Sequence, residues 1–254
     1  MVNKILLVAA LVLFCGSASA DEKLVLRSAV SPDFIDGLHA KYLNYIAENL
    51  MMDIDIKPLS FSRRLRALQK GELDILVGLQ DAAEQQENLI YIDPPYQVLA
   101  STFFVRAPEK SALTNYQDLA AKRIAITAQV AYFDEFDNDD SLAKVVVDSL
   151  EQKIKLLINH RVDTFIHNYE STLVNLKLSA LSDKVTPAIY QPSDKRKYYF
   201  SISRRSQLMP HLELLRRVIE QGVANGAFIE IREQHYRDLS RRAQPIDSLA
   251  IAFK

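Results

Sequence analysis

The stretch Phe61-Ser62-Arg63-Arg64-Leu65-Arg66-Ala67-Leu68-Gln69-Lys70-Gly71-Glu72-Leu73-Asp74-Ile75-Leu76-Val77-Gly78-Leu79 reads as a helix passing into a buried strand. Leu65 and Leu68 share one helical face, Ser62 is placed to cap the helix, and Gly71 supplies a left-handed stop. Ile75-Leu76-Val77 is continuously apolar rather than alternating, the pattern of a parallel strand covered on both faces. Upstream, residues 54–59 read as a strand. Leu38, Tyr42, Leu43, Ile46 and Leu50 fall on one helical face, and residues 24–30 read as a strand closed by Ser31-Pro32. The order β-α-β-α-β predicts an open α/β sheet.

A second series of the same kind follows. Strands are expected over 102–106, 123–127, 144–147, 164–167, 185–190 and 198–203. One helix carries Leu150, Ile154, Leu157 and Ile158 on one face, and another covers 170–178. Pro210 opens a last long helix in its first turn, where proline is tolerated, and Gly226 ends it. A short helix over 228–236 and a tail from Leu239 complete the reading. No internal repeat or low-complexity segment interrupts it.

The N-terminus predicts export. Lys4 precedes an apolar run over 5–15, too short for a membrane span of roughly 20 residues. Ala18 and Ala20 then form the A-x-A pattern of a cleavable leader, so cleavage after Ala20 and a periplasmic location are expected. Cys15 is the only cysteine and Phe14 precedes it, which argues against a lipid anchor. The chain beyond Ala20 has no disulfide to rely on, and its stability must come from its core. Lys and Arg number 31 against 32 Asp and Glu, which gives no global field for a nucleic acid. Six scattered glycines leave no glycine-rich phosphate loop. The five histidines lack metal-site spacing, and no G-x-S-x-G elbow occurs. Neither metal, cofactor nor catalysis is therefore expected.

Five segments resemble family 3 extracellular solute-binding proteins. Residues 61–74 resemble that family's helix, Gly and Asp run. Tyr91-Ile92-Asp93-Pro94-Pro95-Tyr96 resembles its F-S-x-P-Y segment, and Asp118-Leu119-Ala120-Ala121-Lys122-Arg123-Ile124-Ala125-Ile126 its approach to the second lobe. His160-Arg161-Val162-Asp163 is similar to its G-x-x-D, and Ala224-Asn225-Gly226 with Gln234-His235-Tyr236 to its closing pattern. The resemblance spans about Leu24 to Tyr236. It implies a two-lobed α/β fold of the type II periplasmic-binding-protein kind, with two crossover hinge strands near 102–106 and 197–201. Lobe 1 would be 21–105 plus 196–254, and lobe 2 would be 106–195. It also implies a monomer that takes a small-molecule ligand and serves a membrane permease or sensor.

Carried over position by position, the resemblance places Phe61 against the ligand body and Asp81 at a ligand-contacting Ser/Thr position. Gln86 falls where amino-acid binders clamp an α-carboxylate with arginine, and Asn168 where they hold the α-ammonium with aspartate. Tyr96 is a further candidate contact, as is Tyr132, in a loop with Val130 and Ala131 that would offer backbone N–H groups. Both ionic anchors are thus replaced by amides. Losing one such bond costs about 2–5 kcal/mol, against the ~8 kcal/mol of a micromolar binder, so ordinary α-amino acids are expected to be poor ligands. Asp81 favours a neutral or cationic solute, while Arg63, Arg64 and Arg106 are candidate anion contacts if any turns inward. Each of these residues also has a structural reading: Phe61 as a helix staple, Asp81 as a cap, Tyr96 and Tyr132 as core, Arg63 and Arg64 as a solvated face. An alternative on the same fold is a cyclohexadienyl-dehydratase-like enzyme using Glu170 or Asp81 as general acid; another is a sensor feeding a membrane receptor.

Overall fold

The computed structural model describes residues 23–80 and 88–242. The expected leader over residues 1–20, Asp81 and Gln86 therefore lie outside the described residues.

The first series is β1 (Val25–Val30), α1 (Leu38–Asn49), β2 (Asp53–Pro58), α2 (Phe61–Lys70) and β3 (Ile75–Gln80). It continues through β4 (Leu89–Arg106), β5 (Arg123–Thr127), α3 (Asp134–Asp137), β6 (Ala143–Val147) and α4 (Leu150–Ile158). The last elements are β7 (Thr164–Asn168), α5 (Tyr169–Leu178), β8 (Val185–Pro187), β9 (Lys195–Ser203), α6 (Leu212–Ala224) and α7 (Ala227–Arg242).

Several expectations are corrected. Ser60, not Ser62, is the N-cap residue of α2, while Gly71 closes that helix at φ 78° as expected. β3 is not in a parallel ladder: it pairs antiparallel with β9, while Asp74 N–H donates to Arg27 O and the Ser28 hydroxyl to Ile75 O beside β1. Its apolar run is continuous because both faces are covered. Ile75 and Val77 pack with α1 side chains such as Leu43 and Ile46, whereas Leu76 and Leu79 pack with Leu65 and Leu68 of α2. Pro210 sits in a short turn ahead of α6, and the expected tail from Leu239 is helix as far as Arg242.

β4 and β9 tie the two halves together. Leu89–Ile92 pair with Phe200–Ser203 in the first half, and Gln97–Ala100 pair with Lys195–Tyr198 after a register shift across Pro94-Pro95. Beyond that crossover, residues 101–104 pair with β7 and 104–106 with β8. The crossover ladder thus precedes 102–106, which belongs to the second sheet. There β5 lies parallel to both β6 and β7. Each half has apolar clusters on both faces of its strands: one around Tyr42, Phe200 and Phe228 and one around Leu68 in the first, with clusters around Phe103 and Phe165 in the second.

One hydrogen-bonding device occurs in both halves. The Asp74 carboxylate accepts from the backbone N–H, Nε and Nη2 of Arg27, and Arg27 Nη2 also donates to Gly71 O. In the second half the Asp163 carboxylate accepts from the same three donors of Arg123, and Arg123 Nη2 donates to His160 O. Gly71 and His160 both adopt positive φ. Each acidic residue therefore locks the end of a helix to the first strand of its half. Asp74 also accepts from Ser206 Oγ and from both nitrogens of Gln207, which binds the start of the C-terminal segment to the first half.

The Arg27 contacts hold the Asp74 carboxyl below the ordinary carboxylate range despite burial. The folded state then favours the ionised form, so the stability it contributes is complete above the unfolded value near 4 and is lost as pH falls through the lower folded value. Asp74→Asn is expected to reduce unfolding free energy by about 3 kcal/mol, because the carboxylate is fully buried. Asp163→Asn, at a site 24% exposed, should cost only about 1 kcal/mol. Urea unfolding at neutral pH measures both; equal losses would contradict this ranking.

Candidate functional site

The carboxyl ends of β1, β3, β5, β6 and β7 converge on one cavity of about 320 Å³. This is where open α/β sheets place ligands, and the volume suits a small molecule. From the first half come Ser31 and Asp33 after β1, His39 on α1, Phe61 and Arg64 on the first turn of α2, and Gln80 at the end of β3. Opposite them stand Thr127 and Tyr132 after β5, Ser149 and Leu150 at the start of α4, and Asn168 and Ser171 at the start of α5. Tyr198 of the crossover ladder forms part of the wall, and His235, Tyr236 and Leu239 of α7 complete it.

Of the residues singled out from the sequence, Phe61, Arg64, Tyr96, Tyr132 and Asn168 line this cavity. Arg63 and Arg106 are not among its lining residues. Arg106 is directed into the second half, where Glu109 takes Nε and Nη2 and the carbonyls of Leu157 and Val162 take Nη1. Glu170, the carboxylate of the enzymatic alternative, does not line the cavity either. Tyr96 is 8% exposed and belongs to the aromatic cluster, with its ring 5.2 Å from Tyr42 and 5.1 Å from Phe200. The loop after β5 differs from the expectation of free backbone donors. Tyr132 N–H donates to Asp137, Val130 N–H to Thr127 O, and Thr127 N–H to the Tyr132 hydroxyl.

Neither Asp33 nor the α7 contribution was legible from local sequence pattern. Asp33 reaches across the cavity to accept from the Leu150 N–H at the start of α4, 3.1 Å away. Phe34 beside it packs against the second half's core. A carboxylate at a helix N-terminus meets the positive end of the helix dipole, so this contact draws the halves together. Burial nevertheless pushes the Asp33 carboxyl above its ordinary value, against the opposing effect of that hydrogen bond. Among the described residues, no cluster of three or more His, Cys, Asp or Glu is placed to hold a metal ion.

The sequence pattern of the bacterial extracellular solute-binding proteins, family 3, matches residues 29–238. The chain belongs to that family. Among curated relatives, the probable ABC transporter extracellular-binding protein YckB of Bacillus subtilis (strain 168) is 25% identical over 153 residues, covering 59% of this chain and 52% of YckB. The probable amino-acid-binding protein YxeM of the same organism is 21% identical over 162 residues, 62% of this chain and 61% of YxeM. The chain thus matches little more than half the length of these relatives. Among solved structures, an amino acid ABC transporter substrate-binding protein, AbpA, from Streptococcus pneumoniae Canada MDR_19A, bound to L-arginine, superposes with a TM-score of 0.73. It is 17% identical, and the match covers 85% of this chain and 95% of AbpA. The fold is therefore the two-lobed type II fold of periplasmic binding proteins.

In this member of the family the cavity walls are electrostatically uneven. Burial, reinforced by Arg64 and His235, pushes His39 down to about 3, so its ring is neutral at ordinary pH. Its packing is close: a Cβ at Gly78, where φ is +89°, would lie 2.5 Å from His39 Cε1. Only glycine fits a position with both that φ and that neighbour. Behind Tyr132, Lys153 is fully buried, donating to Ile166 O at 2.8 Å and to the Tyr132 hydroxyl at 3.3 Å. It fixes the ring that faces the cavity. Burial pushes the Lys153 ammonium down to about 7.

Between about 7 and the ordinary lysine value of 10.5, the unfolded chain binds a proton at this residue that the folded chain has released. Lys153 therefore makes stability rise with pH across that window. Urea unfolding of the native protein at about pH 7.5 and about pH 9.5 should show a gain that Lys153→Met removes. An equal pH response in both proteins would contradict the assignment.

Proposed function

We propose that this chain binds a small polar solute between its two lobes and delivers it to a membrane permease of the ABC type. In this reading the lobes divide at the crossover ladder, and the mature protein works in the periplasm after a leader ending at Ala20 is removed. The observation that carries the reading is the cavity at the strand carboxyl ends, with walls drawn from both sides of the crossover. Family membership and the ABC-transporter relatives support it. A guest that touches both walls stabilises the closed arrangement, because only such differential contact shifts an open–closed balance.

We further propose that the guest is not an ordinary α-amino acid, although the AbpA structure of the same fold holds L-arginine. An α-ammonium needs acceptors. Asn168 Oδ1 already accepts from Ser171 N–H as the N-cap of α5, and a neutral amide answers an ammonium far less strongly than the carboxylate it stands in place of. The Asp33 carboxylate is engaged by Leu150 N–H. At Asn168 and Asp33 the described wall thus offers a zwitterion's positive end one neutral amide oxygen and one carboxylate shared with a helix N-terminus, rather than a carboxylate of its own.

A thermal-shift panel of amino acids, polyamines, sugars and small carboxylates tests both statements. A bound compound at a hundred times its dissociation constant should add about 2.7 kcal/mol of stability, and the responding compounds should not include glutamine, histidine, lysine or arginine. Asn168→Asp keeps a capping side chain while adding a carboxylate, and it should gain a response to lysine or arginine. A strong response of the unmodified protein to these amino acids would overturn the ligand exclusion; silence to every class would overturn the binding reading.

A further inference from the structure

Arg64 is 8% exposed, lines the cavity, and has its Nε buried without a hydrogen-bond partner. Among the described residues no carboxylate pairs with it; its directed neighbour is the Phe61 ring, 5.4 Å from the guanidinium carbon. Other buried arginine contacts in the chain are satisfied: Arg106 has four hydrogen bonds. Burial pushes the Arg64 guanidinium down to about 10, which still leaves it charged at neutral pH. An isolated buried cation is strongly disfavoured unless something pairs with it, and an orphaned buried donor in a native structure calls for a specific explanation.

The surroundings indicate what pairs with it. His39 is neutral and is itself influenced by Arg64 and His235. Of the two carboxylates on the described wall, Asp33 accepts from Leu150 N–H across the cavity and Asp148 belongs to an exposed residue at the end of β6, and neither forms an ion pair with Arg64. The cavity that Arg64 enters is also lined by the apolar side chains of Phe61, Leu65, Leu38 and Phe34. A guanidinium presents hydrogen-bond donors in the planar arrangement that fits a carboxylate. One guanidinium balances one negative charge, which favours a carboxylate over a phosphate dianion.

We infer that the guest is a small monocarboxylic acid with an apolar or aromatic body and no ammonium group, its carboxylate seated on Arg64 and its body on Phe61. This deepens the solute-binding reading and rests on it. Arg64 thereby serves as a specificity residue whose guanidinium is paired by the carboxylate of the guest.

The test uses calorimetric titration and thermal shift of the full chain with benzoate, cyclohexanecarboxylate and hexanoate. Their primary amides, phenylalanine and inorganic phosphate serve as controls. At least one of the three carboxylates should bind, its amide should bind at least about 100-fold more weakly, and Arg64→Met should lose the carboxylate response. The ligand-free Arg64→Met protein should melt at the same temperature as the unmodified protein or above it, since an unpaired cation has been removed. Equal binding of carboxylate and amide, tighter binding of phenylalanine or phosphate, carboxylate binding unaffected by Arg64→Met, or a lower melting temperature of that ligand-free variant would each overturn the inference. Silence to the three carboxylates also overturns it, while a response to any neutral or zwitterionic compound leaves the solute-binding reading standing.

Discussion

The antiparallel ladder from Gln97–Tyr198 to Ala100–Lys195 is the constraint on which the rest of the molecule depends. Here β4, still paired with β9, leaves the ladder of the first half and goes on to pair with β7 and β8 of the second, so the lobes are joined by continuous backbone at one edge of the cleft. Arg196, on this ladder, donates to Tyr132 O and to the Asp134 carboxylate. The crossover is therefore fastened to the loop that forms the second wall. A solute site built from strand ends on both sides requires such a joint. Two independent domains would have to recover their relative position each time a guest bound.

The cavity departs from the energetic habits of the surrounding core. The carboxylates of Asp74 and Asp163 are answered by paired arginines. Around the cleft, Arg64 Nε and Gln80 Oε1 are buried without partners, and Lys153 is held by neutral acceptors alone. Proteins commonly place such compromises where function needs them. The aromatic cluster of Tyr42, Tyr96, Phe200 and Phe228 provides a rigid support beneath them, with edge-to-face and tilted rings 5.0–6.4 Å apart.

Local chemistry made much of the fold legible. The Gly71 stop, the helix stripe from Leu38 onward, the strand at Arg123–Thr127 and the stop at Gly226 follow from propensity and periodicity over a few residues. What eluded the sequence depended on distant partners. Pro94-Pro95 reads as an interruption, yet β4 continues past it because the ladder with β9 absorbs a register shift. α7 has a polar composition and so reads as a short helix and tail. The apolar run of β3 looks the same whether its neighbour is parallel or antiparallel. In the site, Phe61, Tyr132 and Asn168 were reached by position in the resemblance. The inward turn of Arg64 was not decidable, because an arginine in a helix of four charged residues ordinarily faces water. The local partner of Arg106 was discoverable, since Glu109 stands three residues on; that of Asp33, at Leu150, was not.

The central claim is that two lobes, hinged at the β4–β9 crossover, close on a guest. Spin labels at Met51→Cys and Val146→Cys, both highly exposed and on opposite sides of the cleft, report this directly through the distance between them. With a compound that calorimetry shows to bind, the distance distribution should narrow and shift. An unchanged distribution in the presence of saturating bound compound would contradict the account.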